Sequence, residues 1–242
     1  MKNNITKKTI FLDFDGVLFD TVLESYLLAR YAFYDISPET PIDENIYKIF
    51  HSLRYLITNS WHYFYIMKII DSKFKKIKEM EKEYHKMLLN RDINADSTFD
   101  LKFQNKRKDL INNNYKFWEK LDKPYPFFYK IKEIFENYNI LIVSTKNEEA
   151  IQKHCSDYGL KISAENITGK NKLKKFGSKH SFLEYYIKEH KIQNAIFIDD
   201  CKNTVEDCKN VPNLSCYTAN WGYVKAKTEG FSEEDILNKI KE

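Results

Sequence analysis

Three short apolar runs, each stopping abruptly in polar chemistry, constrain this chain most. Thr9 to Phe14 carries Asp13 and ends in Asp15-Gly16, Asn139 to Val143 ends in Ser144-Thr145, and Ala195 to Ile198 ends in Asp199-Asp200. Short β-branched and aromatic runs of this form read as buried strands that deliver their polar residues to the C-terminal ends. Helical patterns lie between and after them, at Phe127 to Tyr138, Asn147 to Tyr158, Ser181 to His190 and Ser232 to Lys241. The last opens on a Ser with an acidic residue three places on, a capping signal. Strands alternating with helices imply an α/β fold with a doubly wound parallel sheet. Ligands of such sheets bind outside the carboxyl ends of the strands, so the three polar clusters are expected to converge on one edge.

Residues 21–122 break that alternation. Apolar and aromatic positions recur there at helical spacing through Tyr26 to Tyr34, Ile46 to Ile70, Phe74 to Leu89 and Phe103 to Leu121. The expected organisation is a core of residues 1–20 and 123–242 with an all-helical insert of residues 21–122. Trp61, Tyr63, Phe64, Tyr65 and Trp118 are expected in the insert's core, because such residues are more often buried than displayed. A chain of 242 residues with 43% hydrophobic and 15% aromatic content is globular rather than disordered. Its net charge of +4 is spread through mixed Lys/Glu stretches such as Lys73 to Lys86, a solvated helical face rather than a nucleic-acid groove.

Cys155, Cys201, Cys208 and Cys216 form neither a Cys-x-x-Cys pair nor a zinc spacing, and reduced thiols are expected. The N-terminus carries Lys2, Lys7 and Lys8, but Asp13 and Asp15 interrupt any signal-peptide apolar region, so a cytoplasmic protein is expected. Ile66 to Ile70 and Ile140 to Val143 fall far short of the ~20 residues of a spanning helix.

The chemistry begins at Phe11-Leu12-Asp13-Phe14-Asp15-Gly16-Val17-Leu18-Phe19-Asp20-Thr21. Alternate side chains of a strand share a face, so Asp13 and Asp15 can enter one small site around Gly16. An EF-hand calcium loop also begins Asp-x-Asp, but its Gly stands sixth, whereas Gly16 is fourth and follows a strand. The run resembles motif I of the haloacid dehalogenase superfamily, in its phosphatase branch. Leu141-Ile142-Val143-Ser144-Thr145-Lys146 is similar to motif II, with Ser144 in the motif position, and Ile196-Phe197-Ile198-Asp199-Asp200 is similar to the acidic motif IV. Motif III is a Lys upstream of motif IV. Lys170, Lys172, Lys174, Lys175 and Lys179 compete for it, and Lys179 is preferred because it directly precedes the Ser181 to His190 helix. Asn220-Trp221-Gly222-Tyr223, after a last short strand, resembles the phosphoglycolate phosphatase group.

The resemblance implies a Rossmann-like core with a helical cap inserted after motif I, and a Mg²⁺-dependent phosphatase acting on a small phosphomonoester. It implies that Asp13 attacks phosphorus, that Asp15 acts as general acid and base, that Ser144 and Lys179 stabilise the phosphoryl group, and that Gly16 and Thr145 contact substrate. Mg²⁺ would be held by Asp13, the backbone carbonyl of Asp15, Asp200 and, directly or through water, Asp199. A phosphomutase would keep every motif. A binding module, with the basic aromatic insert contacting nucleic acid or protein, would need none of the four acids; no nucleic-acid or membrane partner is expected. Substrate identity and oligomeric state are not encoded in these motifs.

Overall fold

The computed structural model describes residues 7–72, 74 and 76–242, so Lys2, Lys73 and Lys75 of the charged segments lie outside the described residues. The chain divides into two compact units, one comprising the described residues up to Asp20 with Lys123–Glu242, the other Thr21–Asp122. Among the described residues the strands are β1 (Thr9–Leu12), β2 (Phe19–Asp20), β3 (Lys123–Pro124), β4 (Asn139–Val143), β5 (Ile167–Thr168), β6 (Ala195–Asp199) and β7 (Leu214–Thr218). Five of them form a sheet in the order β5-β4-β1-β6-β7, parallel throughout. β2 and β3 pair as an antiparallel ribbon at the points where the chain leaves for residues 21–122 and returns. β1, β4 and β6 coincide with the three runs legible in the sequence; β5, with only two residues, is too short to show a pattern.

The helical unit contains α1 (Val22–Tyr34), α2 (Glu44–Ser52), α3 (His62–Ile70), α4 (Ile77–Leu89), α5 (Ile93–Asn113) and α6 (Tyr115–Trp118). Asp43 starts α2 by accepting from the Asn45 and Ile46 amides, and Asp92 starts α5 by accepting from Asn94 and Ala95. The helical spacing across Ile46 to Ile70 is not one helix. A 3₁₀ turn at Arg54–Leu56 and a bend through Thr58-Asn59-Ser60 separate α2 from α3, since these short polar side chains favour turns over helix interior. Tyr63, Tyr65 and Trp118 are buried, while Trp61 and Phe64 are half-buried, each with a cation over its ring: Arg91 on Trp61 and Lys68 on Phe64, both at 4.8 Å. Phe50, Tyr63 and Phe103 stack in sequence at 5.5 and 5.4 Å.

The sheet carries α7 (Pro126–Ile134), α8 (Glu148–Asp157), α9 (Lys170–Leu173), α10 (Lys179–Glu189), α11 (Lys202–Cys208) and α12 (Glu233–Lys241). Pro126 opens α7, where a missing amide costs nothing. The capping box expected from Ser232 is present, closed by Asp235. Strand alternation sorts the core into two clusters. Ile10, Leu12, Ile140, Ile142, Ile196 and Ile198 pack with Phe127, Phe128, Ile131, Ile151, Ile236 and Ile240 of α7, α8 and α12. Phe11, Leu141, Val143 and Phe197 pack with Leu173, Phe182, Leu183 and Ile187 of α9 and α10. Helices thus cover both faces of a parallel sheet, as burial on both sides demands. Among the described residues no helix is long and apolar enough to cross a membrane.

Candidate active site

The register of the sheet brings the polar clusters together. Leu12 pairs with Ile142 on one side and Ile198 on the other, which sets Asp13 level with Val143 and Asp199. Asp13 follows Phe11 by two residues and Asp199 follows Phe197 by two, so both point to the face covered by α9 and α10. α10 begins on that face with Lys179. Its ammonium lies 2.9 Å from Asp13 Oδ2 and 2.7 Å from Asp199 Oδ2. β1 and β6 are also the neighbours from which the strand order runs outward in opposite directions, the position where open α/β sheets bind ligands.

Asp13, Ser144, Lys179, Asp199 and Asp200 are all buried. The Phe14 amide donates to Asp13 Oδ1 at 2.7 Å, the Ser144 hydroxyl also donates to Asp13, and the Cys201 amide donates to Asp199 Oδ1 at 2.8 Å. Burial pushes the Asp13 carboxyl up to about 6; Lys179 opposes this, and the neighbouring Asp199 charge adds to it. For Lys179, burial alone would favour the neutral amine, but the Asp13 and Asp199 carboxylates outweigh it and hold the ammonium well above its usual range.

Of the five lysines competing for the upstream position, Lys179 is the buried one; Lys174 and Lys175 are exposed, Lys170 is half-buried, and Lys172 bonds the carbonyls of Ala164 and Ile167. Lys179 does not precede its helix as expected but is its first residue, because Ser178 serves as the cap and accepts from the Ser181 amide. Thr145 follows Ser144 at the same strand end and is half-buried. Asp15 is less buried than Asp13, and Lys146 Nζ lies 3.3 Å from its Oδ1.

Lys146 and Tyr223 stand within sequence motifs that assign neither of them a contact. Lys146 is nonetheless almost fully buried, a strong sign for a lysine three places beyond a strand end. Gly16 has φ +83, and a Cβ there would stand 2.1 Å from Asp200 Oδ2, so both its conformation and its closeness to the acid require glycine. The thiols take no part in this ion network: all four cysteines are free, and burial pushes Cys155 and Cys208 up to about 12.

The donor chemistry fits a divalent cation. One carboxylate oxygen each from Asp13, Asp199 and Asp200 lies within 4.8 Å of the others, the hard oxygen set that Mg²⁺ selects. Carboxylates buried this close repel one another, and a divalent ion between them would offset that repulsion.

No protein-family model and no curated protein sequence matches this chain. Similar solved structures span nearly its whole length. A predicted phosphoglycolate phosphatase from Haemophilus somnus superposes with a TM-score of 0.63 at 14% identity, covering 98% of each chain. A predicted phosphatase from Clostridium acetobutylicum gives 0.58 at 14% identity over 96% of this chain and 99% of its own. A haloacid dehalogenase-like hydrolase from Streptococcus pneumoniae gives 0.53 at 14% identity over 96% and 98%. The chain therefore has the fold of the haloacid dehalogenase-like hydrolases.

Proposed function

We propose that this chain is a Mg²⁺-dependent phosphohydrolase that cleaves a small phosphomonoester through an aspartyl-phosphate on Asp13. The observation that carries this reading is the convergence of three buried carboxylates, Asp13, Asp199 and Asp200, within 4.8 Å at the β1 and β6 ends, with Lys179 bridging Asp13 and Asp199. A purely structural cluster gains nothing from crowding like charges in a buried place. A site for a phosphate dianion and a metal requires it.

Asp13, Asp199 and Asp200 would hold Mg²⁺, with the Asp15 carbonyl completing the set. The ion supplies charge neutralisation, without which an anionic nucleophile cannot approach an anionic ester. Asp13 then attacks phosphorus, the ester P–O bond breaks, and the leaving oxygen takes a proton from Asp15. Water cleaves the aspartyl-phosphate, with Asp15 now accepting the proton. Lys179 offsets charge on Asp13 and the phosphoryl oxygens, Ser144 turns its hydroxyl from Asp13 to a non-bridging oxygen, and Lys146 steadies Asp15. Residues 21–122 would serve as the element that sets substrate specificity.

The test is a screen of sugar phosphates, nucleoside monophosphates and phosphoglycolate with and without Mg²⁺. Release of inorganic phosphate that EDTA abolishes, Mg²⁺ restores and Ca²⁺ fails to restore is expected. Phosphate release that persists after exhaustive chelation contradicts the reading, and isomerisation of a hexose phosphate without phosphate release would make the chain a mutase.

A further inference from the structure

Asp200 is held by a part of the chain far from it in sequence. The Tyr223 backbone N–H donates to Asp200 Oδ2 at 2.6 Å, and the Tyr223 phenol donates to Asp20 Oδ1 at 3.0 Å. One residue therefore joins the acid at the end of β6 to the last residue of β2, which pairs in register with Lys123 of β3. The loop that presents Tyr223 is fixed on each side. The Trp221 indole N–H donates to the Val17 carbonyl at 3.0 Å, and the Lys227 ammonium bonds the Trp221 and Gly222 carbonyls at 2.8 and 3.1 Å. Its approach is so close that a Cβ on Gly222 would fall 2.2 Å from the Gly16 carbonyl oxygen and 2.5 Å from Asp200 Cβ.

Three carboxylates converging within 4.8 Å repel one another, and Lys179 bridges Asp13 and Asp199. An N–H aimed at one oxygen of Asp200 supplies partial positive charge and fixes the rotamer. We infer that Tyr223 is a positioning residue for the metal: its N–H sets Asp200 as a ligand, and its phenol, anchored on Asp20, keeps that N–H in place. This rests on the metal reading above and deepens it, since metal affinity becomes dependent on a residue that never touches the ion.

Direct Mn²⁺ binding, followed by electron paramagnetic resonance on metal-free protein without substrate, tests it. Tyr223→Phe and Asp20→Ala are each expected to raise the Mn²⁺ Kd by roughly 3–10-fold, the range for losing one hydrogen bond. The double variant should be no worse than the poorer single, because both remove the same bond. Asp20→Asn retains the acceptor oxygen and should stay within about threefold of the parent, and Gly222→Ala, which drives a Cβ into Asp200, should exceed roughly 30-fold. Melting temperatures of metal-free Tyr223→Phe and Asp20→Ala are expected within about 2 °C of the parent.

A Tyr223→Phe protein with parental Mn²⁺ affinity overturns the inference and leaves the metal site standing. An additive double variant, or weakened binding that comes only with a fall of more than about 5 °C in the metal-free melt, overturns it in favour of a merely structural role. A parent protein that takes up no Mn²⁺ overturns the metal reading and this inference together.

Discussion

Both units bury charge, and the difference between the two burials separates structure from chemistry. In the helical unit Glu24 is fully buried and is answered group for group: Arg107 donates to its two oxygens at 2.8 and 2.9 Å, and the Trp118 indole N–H adds a third bond at 2.8 Å. One carboxylate meets one guanidinium in a bidentate pair, the geometry that best offsets desolvation. In the core unit Asp13, Asp199 and Asp200 bring one oxygen each within 4.8 Å of the others, Lys179 bridges the first two, and the Asp13 carboxyl is driven up to about 6 mainly by burial. Balanced buried charge holds helices together; like charges crowded this tightly are the unbalanced case, and a bound cation would relieve it.

The largest expected effect is at the unbalanced site. Asp13→Asn keeps the shape but removes the nucleophile, and turnover should fall by at least about 10⁴-fold while the protein remains folded by circular dichroism. Turnover within tenfold of the parent, once deamidation of the Asn is ruled out, sinks the covalent route. Asp15→Asn removes proton transfer but not the nucleophile, and hydrolysis should slow by roughly 10²–10⁴-fold. Burst kinetics with p-nitrophenyl phosphate, whose leaving group needs little protonation, should therefore show release of one equivalent of nitrophenol before a slow steady state. A variant that turns over at the parental rate with no burst removes Asp15 from the mechanism.

The balanced site should respond in stability instead. Arg107→Met leaves Glu24 charged and buried without its partner and is expected to cost about 3–5 kcal/mol in urea unfolding. Adding Glu24→Leu should recover part of this, short of the parent by the orphaned Trp118 N–H at about 1–3 kcal/mol. If Arg107→Met unfolds like the parent, the contrast between the two burials is wrong.

The smallest effect sharpens the same contrast through pH. His62 in α3 is buried and bonded to the Tyr84 hydroxyl; burial holds its imidazole down at about 4, aided by the charges of Arg91 and Arg54 against the bond to Leu56. A histidine whose folded value lies below its unfolded one binds more protons when unfolded, so its contribution is intact above about 6.5 and is lost as pH falls toward 4. That loss should reach roughly 3 kcal/mol by pH 4, and His62→Leu, in which Tyr84 keeps its 2.9 Å bond to the Leu56 carbonyl, should flatten the unfolding free energy across this window. An unchanged slope in His62→Leu assigns the acid sensitivity elsewhere.

The strands that build the site were legible because a buried parallel strand writes itself as an unbroken apolar run, and the acids were legible because they interrupt such runs at Asp13, Asp15, Asp199 and Asp200. Lys179 was harder. Five lysines lie within ten residues, and only the cap at Ser178 and the face covered by α10 decide which one turns inward. Tyr223 was legible only as part of a tetrapeptide, since its partners Asp200 and Asp20 stand 23 and 203 positions away and no local pattern reports such pairings. Within residues 21–122 helical periodicity marked the unit as helical but showed neither the break between α2 and α3 nor the Glu24 pair, because charged residues in a helix are read as surface until a structure buries them.

The central claim is that the converging carboxylates make Asp13 a phosphate acceptor, and acid-quenched peptide mass spectrometry measures this directly. Asp15→Asn protein incubated with p-nitrophenyl phosphate and Mg²⁺ should yield the Asp13 peptide carrying one phosphate, and Asp13→Asn treated in the same way should yield none. An unmodified Asp13 peptide in Asp15→Asn protein that is still releasing phosphate, or a phosphate found on any other residue, contradicts the account.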